Sequence, residues 1–295
     1  MRQFDFETYD VFTDEKFSGN QLAVVMDGSG LSTEEMLTIT REFNLSETTF
    51  VLPPEDPKHT ARVRIFTLGY EMPFAGHPTV GTSIAIARAR GLKGEIILEL
   101  KAGLFPVTLD INEDHASAVF SNPNLPAICG KAPTASMLEA ALSLPSGAID
   151  NASFAPERLS AGAIFVYARA SMEHVRRARL DSAAFSAMGL DETVGIYLYA
   201  EGGETSGACY HARMFAPDAG IPEDPATGSA AAALPGHIVN GSNLADGGHH
   251  WIVEQGFEMG RPSIINVFVT TKAGAIEAVR IGGNAVHVQR GQLFV

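Results

Sequence analysis

The stretch "IPEDPATGSAAAAL", residues 221–234, decides how this chain folds. Glu223 and Asp224 lead through Pro225 into a Thr-Gly-Ser turn, and a row of alanines without a charge follows. A helix with no polar face has nothing to offer water, so this one belongs inside a core. The first N–H groups of any helix lack partners within it. A buried start therefore needs a partner from outside, and the common solution is an anion. Pro235 falls inside the helical pattern and is expected to kink or end it.

The same arrangement stands once more, earlier in the chain. "FAGHPTVGTSIAIA", residues 74–87, runs parallel to "PATGSAAAALPGHI", residues 225–238, with Gly76 against Gly228 and His77 against Ser229. Pro78 suits a first helical position and Gly91 a helix stop. Arg88 and Arg90 lie near the negative end of the helix dipole. Val80 to Ala87 carry no charged face, so this helix too reads as buried.

Working outward, each half shows strands, an amphipathic outer helix, more strands, the glycine turn into an apolar helix, and strands again. In the first half "MRQFDFETYDVF" alternates as a strand. "LSTEEMLTITREF" opens a helix, with Ser32 and Glu35 forming a capping box and Leu31 and Met36 a hydrophobic staple. "TTFVLP", "ARVRIFTL", "GEIILEL" and "LFPVTLDI" follow as strands. In the second half "EHVRRARLDSAAFSAMGL", residues 173–190, reads as the outer helix, between the strands "SAGAIFVYAR" and "TVGIYLYA". "SNPNLPAICGKAPTAS", residues 121–136, is the one tract that reads as a boundary between the halves. Two helix starts, one per half, are expected to face a shared cleft and hold a small carboxylate or enolate-like ligand between residues 76–79 and 227–230.

Composition narrows the function classes. The 295 residues are 45% hydrophobic, enough for two domains, and carry a net charge of −13 with a pI near 5.1. So acidic a chain argues against nucleic acid or an anionic membrane as its main partner. Its two cysteines, Cys129 and Cys209, have no metal-ligand spacing, and a disulfide framework is not expected. "MRQFDFETYD" has no apolar core of a signal peptide, and no run approaches the roughly 18 apolar residues of a membrane span. A soluble, cytoplasmic protein is the expectation. His249 and His250 are adjacent on a strand and face opposite ways, which disfavours a metal site. No glycine-rich dinucleotide fingerprint opens a helix, so no organic cofactor is expected either. Arg261 in "EMGRPS" reads as half of a structural salt bridge.

"NLSETTFV" (44–51), "MPFAGHPTVG" (72–81), "RMFAPDAGIPEDPATGSAA" (213–231) and "EQGFEMGRPS" (254–263) together resemble the phenazine-biosynthesis PhzF-like family, with "FSGNQLAVV" extending the likeness toward the N-terminus. The resemblance implies an α/β (α+β) fold of the diaminopimelate epimerase-like type. That fold has two pseudo-symmetric lobes, each a curled, mostly antiparallel β-sheet or barrel around a central buried helix. It places residues 1–118 plus about 284–295 in an N-terminal lobe and 119–283 in a C-terminal lobe, with the active site in the cleft between them. It implies a homodimer, a small-molecule carboxylate substrate and no cofactor. The glutamate of "SET", the histidine of "GHP" and the aspartate and serine of "EDPATGS" carry over as Glu47, His77, Asp224 and Ser229.

The related epimerases use two cysteines, one at each turn, as opposed acid and base. Here Ala75-Gly76 and Thr227-Gly228 occupy those turns, which excludes two-thiol chemistry. What the resemblance leaves is one carboxylate that removes a proton and returns it at another carbon, as in a trans-2,3-dihydro-3-hydroxyanthranilate isomerase. Glu47 starts a strand among Leu45, Thr49, Phe50 and Val51, where partial burial raises a carboxyl pKa toward the range of a general acid/base. His77 and Asp224 are expected to orient substrate and assist the proton relay. Ser46, Gly76, Pro78, Thr227, Gly228 and Ser229 are expected to bind it. Two other readings stay open: a racemase or epimerase of another small carboxylate, and a non-catalytic binding or scaffold protein of the same fold.

Overall fold

The computed structural model describes residues 1–191, 193–242 and 244–295. The chain divides into two compact units, Met1–Ser121 with Gly282–Val295, and Asn122–Ile281.

The first unit runs β1 (Gln3–Val11), β2 (Asn20–Val25), α1 (Thr33–Phe43), β3 (Glu47–Leu52), β4 (Ala61–Thr67), β5 (Glu71–Met72), α2 (Gly76–Arg90), β6 (Gly94–Leu100), β7 (Gly103–Ile111) and β8 (Ala116–Ser121). The second runs β9 (Ala127–Ile128), α3 (Ala135–Ala141), β10 (Glu157–Ser160), β11 (Ile164–Arg169), α4 (Met172–Arg177), α5 (Ser182–Ser186), β12 (Gly195–Glu201), β13 (Tyr210–Ala216), β14 (Ile221–Asp224), α6 (Gly228–Gly241), β15 (Gly247–Gln255) and β16 (Ser263–Lys272). A long β17 (Ala275–Phe294) closes the chain, its residues from Gly282 onward returning to the first unit.

In the first unit eight strands close into a ring: β17, β1, β2, β3, β4, β6, β7, β8 and back to β17. α2 threads it, buried from Gly76 through Ala87 and packed on β1, β2, β3, β7 and β8. No charge falls in that stretch, so every face can meet apolar wall. The fit is tight enough that a Cβ at Gly81 would lie 2.7 Å from methyl groups of Leu22 and Val11, which would have to shift to admit it. α1 lies outside the ring. Its capping box is present, Ser32 and Glu35 exchanging bonds, and Met36 and Ile39 face Phe50, Leu52 and Phe66.

The second unit repeats the ladder. β1/β2 antiparallel, β2/β3 parallel, β3/β4 antiparallel and β4/β6 parallel are matched by β10/β11, β11/β12, β12/β13 and β13/β15 with the same orientations. α6 is its central helix, buried from Gly228 through Ile238. Two such ladders, each with a buried central helix, make the diaminopimelate epimerase-like fold.

Two local readings need correction. The outer helix predicted over 173–190 is two short helices, α4 and α5. The buried Arg213 binds the carbonyls of Val175 and Ala178 and ends the first, while Asp181 caps the second by accepting from the Ala184 N–H. α6 continues through Pro235 to Gly241. The tract 121–136, read as the boundary, holds the division between Ser121 and Asn122 and then runs into α3, capped by Thr134 accepting from the Met137 N–H.

Candidate functional site

Matching the two ladders rung by rung exposes what each half keeps. Arg64 falls on Arg213, Phe66 on Phe215, Glu71 on Glu223 and Glu99 on Glu254. The chemistry repeats as well. Arg64 grips Glu71 through Nε and Nη2 at 2.8 and 2.9 Å, and Arg213 grips Glu223 through the same atoms at 2.7 and 2.8 Å. Each guanidinium also lies over the matching phenylalanine. Such two-pronged pairs fix geometry as well as charge. Each pins the strand leading into a central helix. Glu223 therefore has a structural task, and the alternation of β14 turns Asp224 to the opposite face.

The candidate residues of the first unit are Glu47 and His77. Glu47 opens β3 and is 8% exposed; His77 is the second residue of α2 and 4% exposed. His77 Nε2 stands 3.4 Å from Glu47 Oε2. On its other side Nδ1 meets the Asn20 side-chain amide at 3.3 Å. Burial drives the His77 pKa down to about 3, against a hydrogen bond with the Gln21 backbone that works the other way. At neutral pH this imidazole is uncharged. It stands beside Glu47 as a neutral neighbour, with no hydrogen bond between Nε2 and Oε2, and not as a counter-ion. Ser46 is half-buried directly before Glu47, and Gly76 and Pro78 flank His77 in the buried first turn.

The candidate residues of the second unit are Asp224, Thr227, Gly228 and Ser229, all buried. The Thr227 hydroxyl donates to Asp224 Oδ2 at 2.5 Å. Gln255 ties the turn together: its Nε2 donates to the Asp224 carbonyl at 2.7 Å and to the Thr227 hydroxyl at 2.9 Å, and its Oε1 accepts from the Thr227 N–H at 3.1 Å. Gly256 follows at φ +81, where a Cβ would sit 2.6 Å from the Pro225 carbonyl and 2.4 Å from that of Arg261.

Neither central helix closes its start with a side-chain cap. Their first N–H groups carry the positive end of a 15-residue and a 14-residue helix respectively. Chemically, each start suits a carboxylate. The two halves differ at one rung. Glu47 corresponds to Gly195, where a Cβ would already meet Met214 Sδ at 3.0 Å and the Phe215 carbonyl at 3.1 Å. Only the first half offers a carboxylate at that position.

The remaining candidates lie apart from these residues or serve the scaffold. Cys129 and Cys209 are free thiols aimed at the carbonyls of Arg158 and Gly207. His249 contacts the Ala245 carbonyl and Thr271; His250 contacts Asn266 and stacks on Phe268. The Arg261 N–H donates to the Gly256 carbonyl. Asn20, Gln255 and Arg213 were missed in the sequence, although "SGN" and "EQG" lie within the stretches that carried the resemblance.

The profile of the phenazine biosynthesis-like proteins matches residues 9–291. An uncharacterized isomerase of Mesorhizobium japonicum is 42% identical, with all of both chains covered. The trans-2,3-dihydro-3-hydroxyanthranilate isomerase of Pseudomonas aeruginosa is 33% identical over 97% of this chain and 98% of its own. Among solved structures, a Bacillus anthracis phenazine biosynthesis protein of the PhzF family superposes with a TM-score of 0.90 at 28% identity, covering 100% of each chain. A hydroxyproline epimerase of Agrobacterium vitis shares the fold alone, with a TM-score of 0.59 at 13% identity over 99% of this chain and 92% of its own.

Proposed function

The chain belongs to the phenazine biosynthesis-like family and is an isomerase, and from that premise we propose that it moves a proton within a small cyclic amino or hydroxy carboxylate, with Glu47 as its single general acid/base. The observation that carries this reading is the buried Glu47 carboxylate 3.4 Å from an uncharged His77, with Gly195 at the matching rung.

In this mechanism Glu47 takes a proton from one ring carbon and becomes the acid that returns it to another. Electron density released at the first carbon spreads into the substrate's carboxylate, where the uncapped starts of α2 and α6 and the Ser229 hydroxyl stabilise it. His77, held by Asn20, keeps the Glu47 carboxyl in register and relays no net charge. Asp224, fixed by Thr227 and Gln255, receives the substrate's amine. Ser46, Gly76, Pro78, Thr227 and Gly228 bind substrate by shape and backbone.

Racemisation by opposed acid and base has less support, since Ala75 and Thr227 stand at the two turns where the related epimerases carry cysteines. No helix among the described residues is long and apolar enough to cross a membrane. The proposal includes a cytoplasmic homodimer that needs neither metal nor organic cofactor. Light scattering at one chain mass, or loss of turnover in a chelator, overturns those two parts.

The central test is incubation with trans-2,3-dihydro-3-hydroxyanthranilate in deuterium oxide, followed by mass spectrometry. The reading expects product formation with exchange at carbon for the native enzyme and neither for Glu47→Gln. Exchange that survives the substitution assigns the proton to another group.

A further inference from the structure

Tyr70 is an aromatic side chain that the core does not explain. It is 44% exposed, at the end of the turn joining β4 to β5. That turn is firmly built. The Thr67 N–H donates to the Tyr70 carbonyl at 2.9 Å, and the Thr67 hydroxyl accepts from the Gly69 and Tyr70 N–H groups at 3.2 Å each. Thr67 thus stands opposite Tyr70 on one side and pairs with Glu47 on the other. Glu47, Thr67 and Tyr70 share one rung.

Residues opposite one another in antiparallel strands point to the same face. Thr49, two along from Glu47, bonds Thr82 of α2 at 2.8 Å, so this face looks into the ring toward the central helix. Phe50 and Phe66, on the alternate face, pack outward with α1, and the Arg64–Glu71 pair alternates with the inward residues in the same way. Tyr70 therefore stands with Glu47 and His77 at the end of the ring where α2 begins. The neighbourhood is electrostatic as well as geometric: partial burial, then the Glu47 charge, raises the Tyr70 pKa above its ordinary value. At neutral pH the hydroxyl keeps its proton and is a donor. At the matching rung of the second half Ala216 pairs with Ile221, so this feature belongs only to the half that carries the carboxylate.

We infer that Tyr70 is a substrate-binding residue whose hydroxyl donates a hydrogen bond to an oxygen substituent next to the carbon that Glu47 deprotonates, and so selects hydroxylated over unsubstituted ring carboxylates. This rests on the isomerase mechanism proposed above and adds to it the group that reads the ring.

The test compares binding of 3-hydroxyanthranilate and anthranilate by calorimetry to the native protein and to Tyr70→Phe. The native protein should prefer the hydroxylated ring. Tyr70→Phe should weaken that ligand roughly two- to tenfold, the range of one net hydrogen bond, and leave anthranilate unchanged. Because Tyr70 is largely exposed and Phe keeps the ring, an unchanged melting temperature should accompany the result. A mutant that keeps the native preference, or that loses both ligands equally, overturns the inference. Deuterium exchange run in parallel separates the two levels. If Glu47→Gln abolishes exchange while Tyr70→Phe keeps the preference, the Tyr70 assignment alone is wrong. If the native protein neither binds these rings nor exchanges, both are wrong.

Discussion

Replacing Glu47 by glutamine is the most decisive perturbation, and the structure sets its size. The amide keeps the shape of the side chain and still hydrogen-bonds, but it neither takes nor gives a proton near neutral pH. Its titratable neighbours offer no substitute. His77, 3.4 Å away, has a pKa of about 3, so at pH 7 only about one molecule in 10⁴ carries the proton an acid must deliver. The Tyr70 hydroxyl is shifted upward and is a poor base. Gly195, at the matching rung, has no side chain at all. One positioned acid or base is worth about 10²–10⁴ in rate, and Glu47 serves as both, so the loss should reach about 10⁴-fold or more, roughly 5.5 kcal/mol in barrier height. Stability should hardly change, because a neutral amide of equal size replaces a buried carboxyl, with a shift of about 1 kcal/mol or less. The assay is solvent-deuterium incorporation into trans-2,3-dihydro-3-hydroxyanthranilate, with a melting curve as control. A well-folded Glu47→Gln protein that keeps turnover within about tenfold of native, the scale of a lost orienting contact, refutes the one-carboxylate mechanism.

Three further outcomes follow from particular contacts. Gly256→Ala must place a Cβ 2.4 Å from the Arg261 carbonyl at a φ of +81, and backbone strain with overpacking should cost about 2–4 kcal/mol and loosen the Asp224 turn; denaturant midpoints within error of native would contradict this. His211 is buried between Glu254 at 3.0 Å and Glu258 at 2.9 Å; burial opposes its charge, but those hydrogen bonds prevail and raise its pKa above 6.5. Its contribution to stability is in full below 6.5 and is lost as pH rises through the raised value, whereas Glu254 and Glu258, held below 4.5, lose theirs as pH falls. The melting temperature of His211→Gln should therefore lose the native decline on the alkaline side, and an unchanged profile would count against a charged His211. His77, by contrast, should show neutral-imidazole NMR shifts across the neutral range, and a titration midpoint near 6.5 would remove the dry environment assigned to it.

Much of this was legible in the sequence because the deciding signals are short-range. A capping box spans four residues, and Ser32 and Glu35 form it in place. A helix without a polar face has only one place to go, and α2 and α6 are the buried centres of their units. The turns ahead of them, with their glycines and no side-chain cap, were recognisable from residue type alone. What local pattern could not supply is the partner across the sheet. Asn20 meets His77 over 57 positions, and Gln255 reaches Thr227 over 28. Those meetings depend on strand register, which arises from the packing of the whole unit. Glu223 and Asp224 looked alike in sequence. Only the register of β13 against β14 gives one to Arg213 and the other to Thr227. The helix predicted over 173–190 breaks for the same reason, since a guanidinium from β13 takes the carbonyls that would have carried it onward. The uncharged state of His77 is likewise a property of the closed ring, because it follows from how much water the packed unit excludes, and no neighbouring residue in the sequence records that.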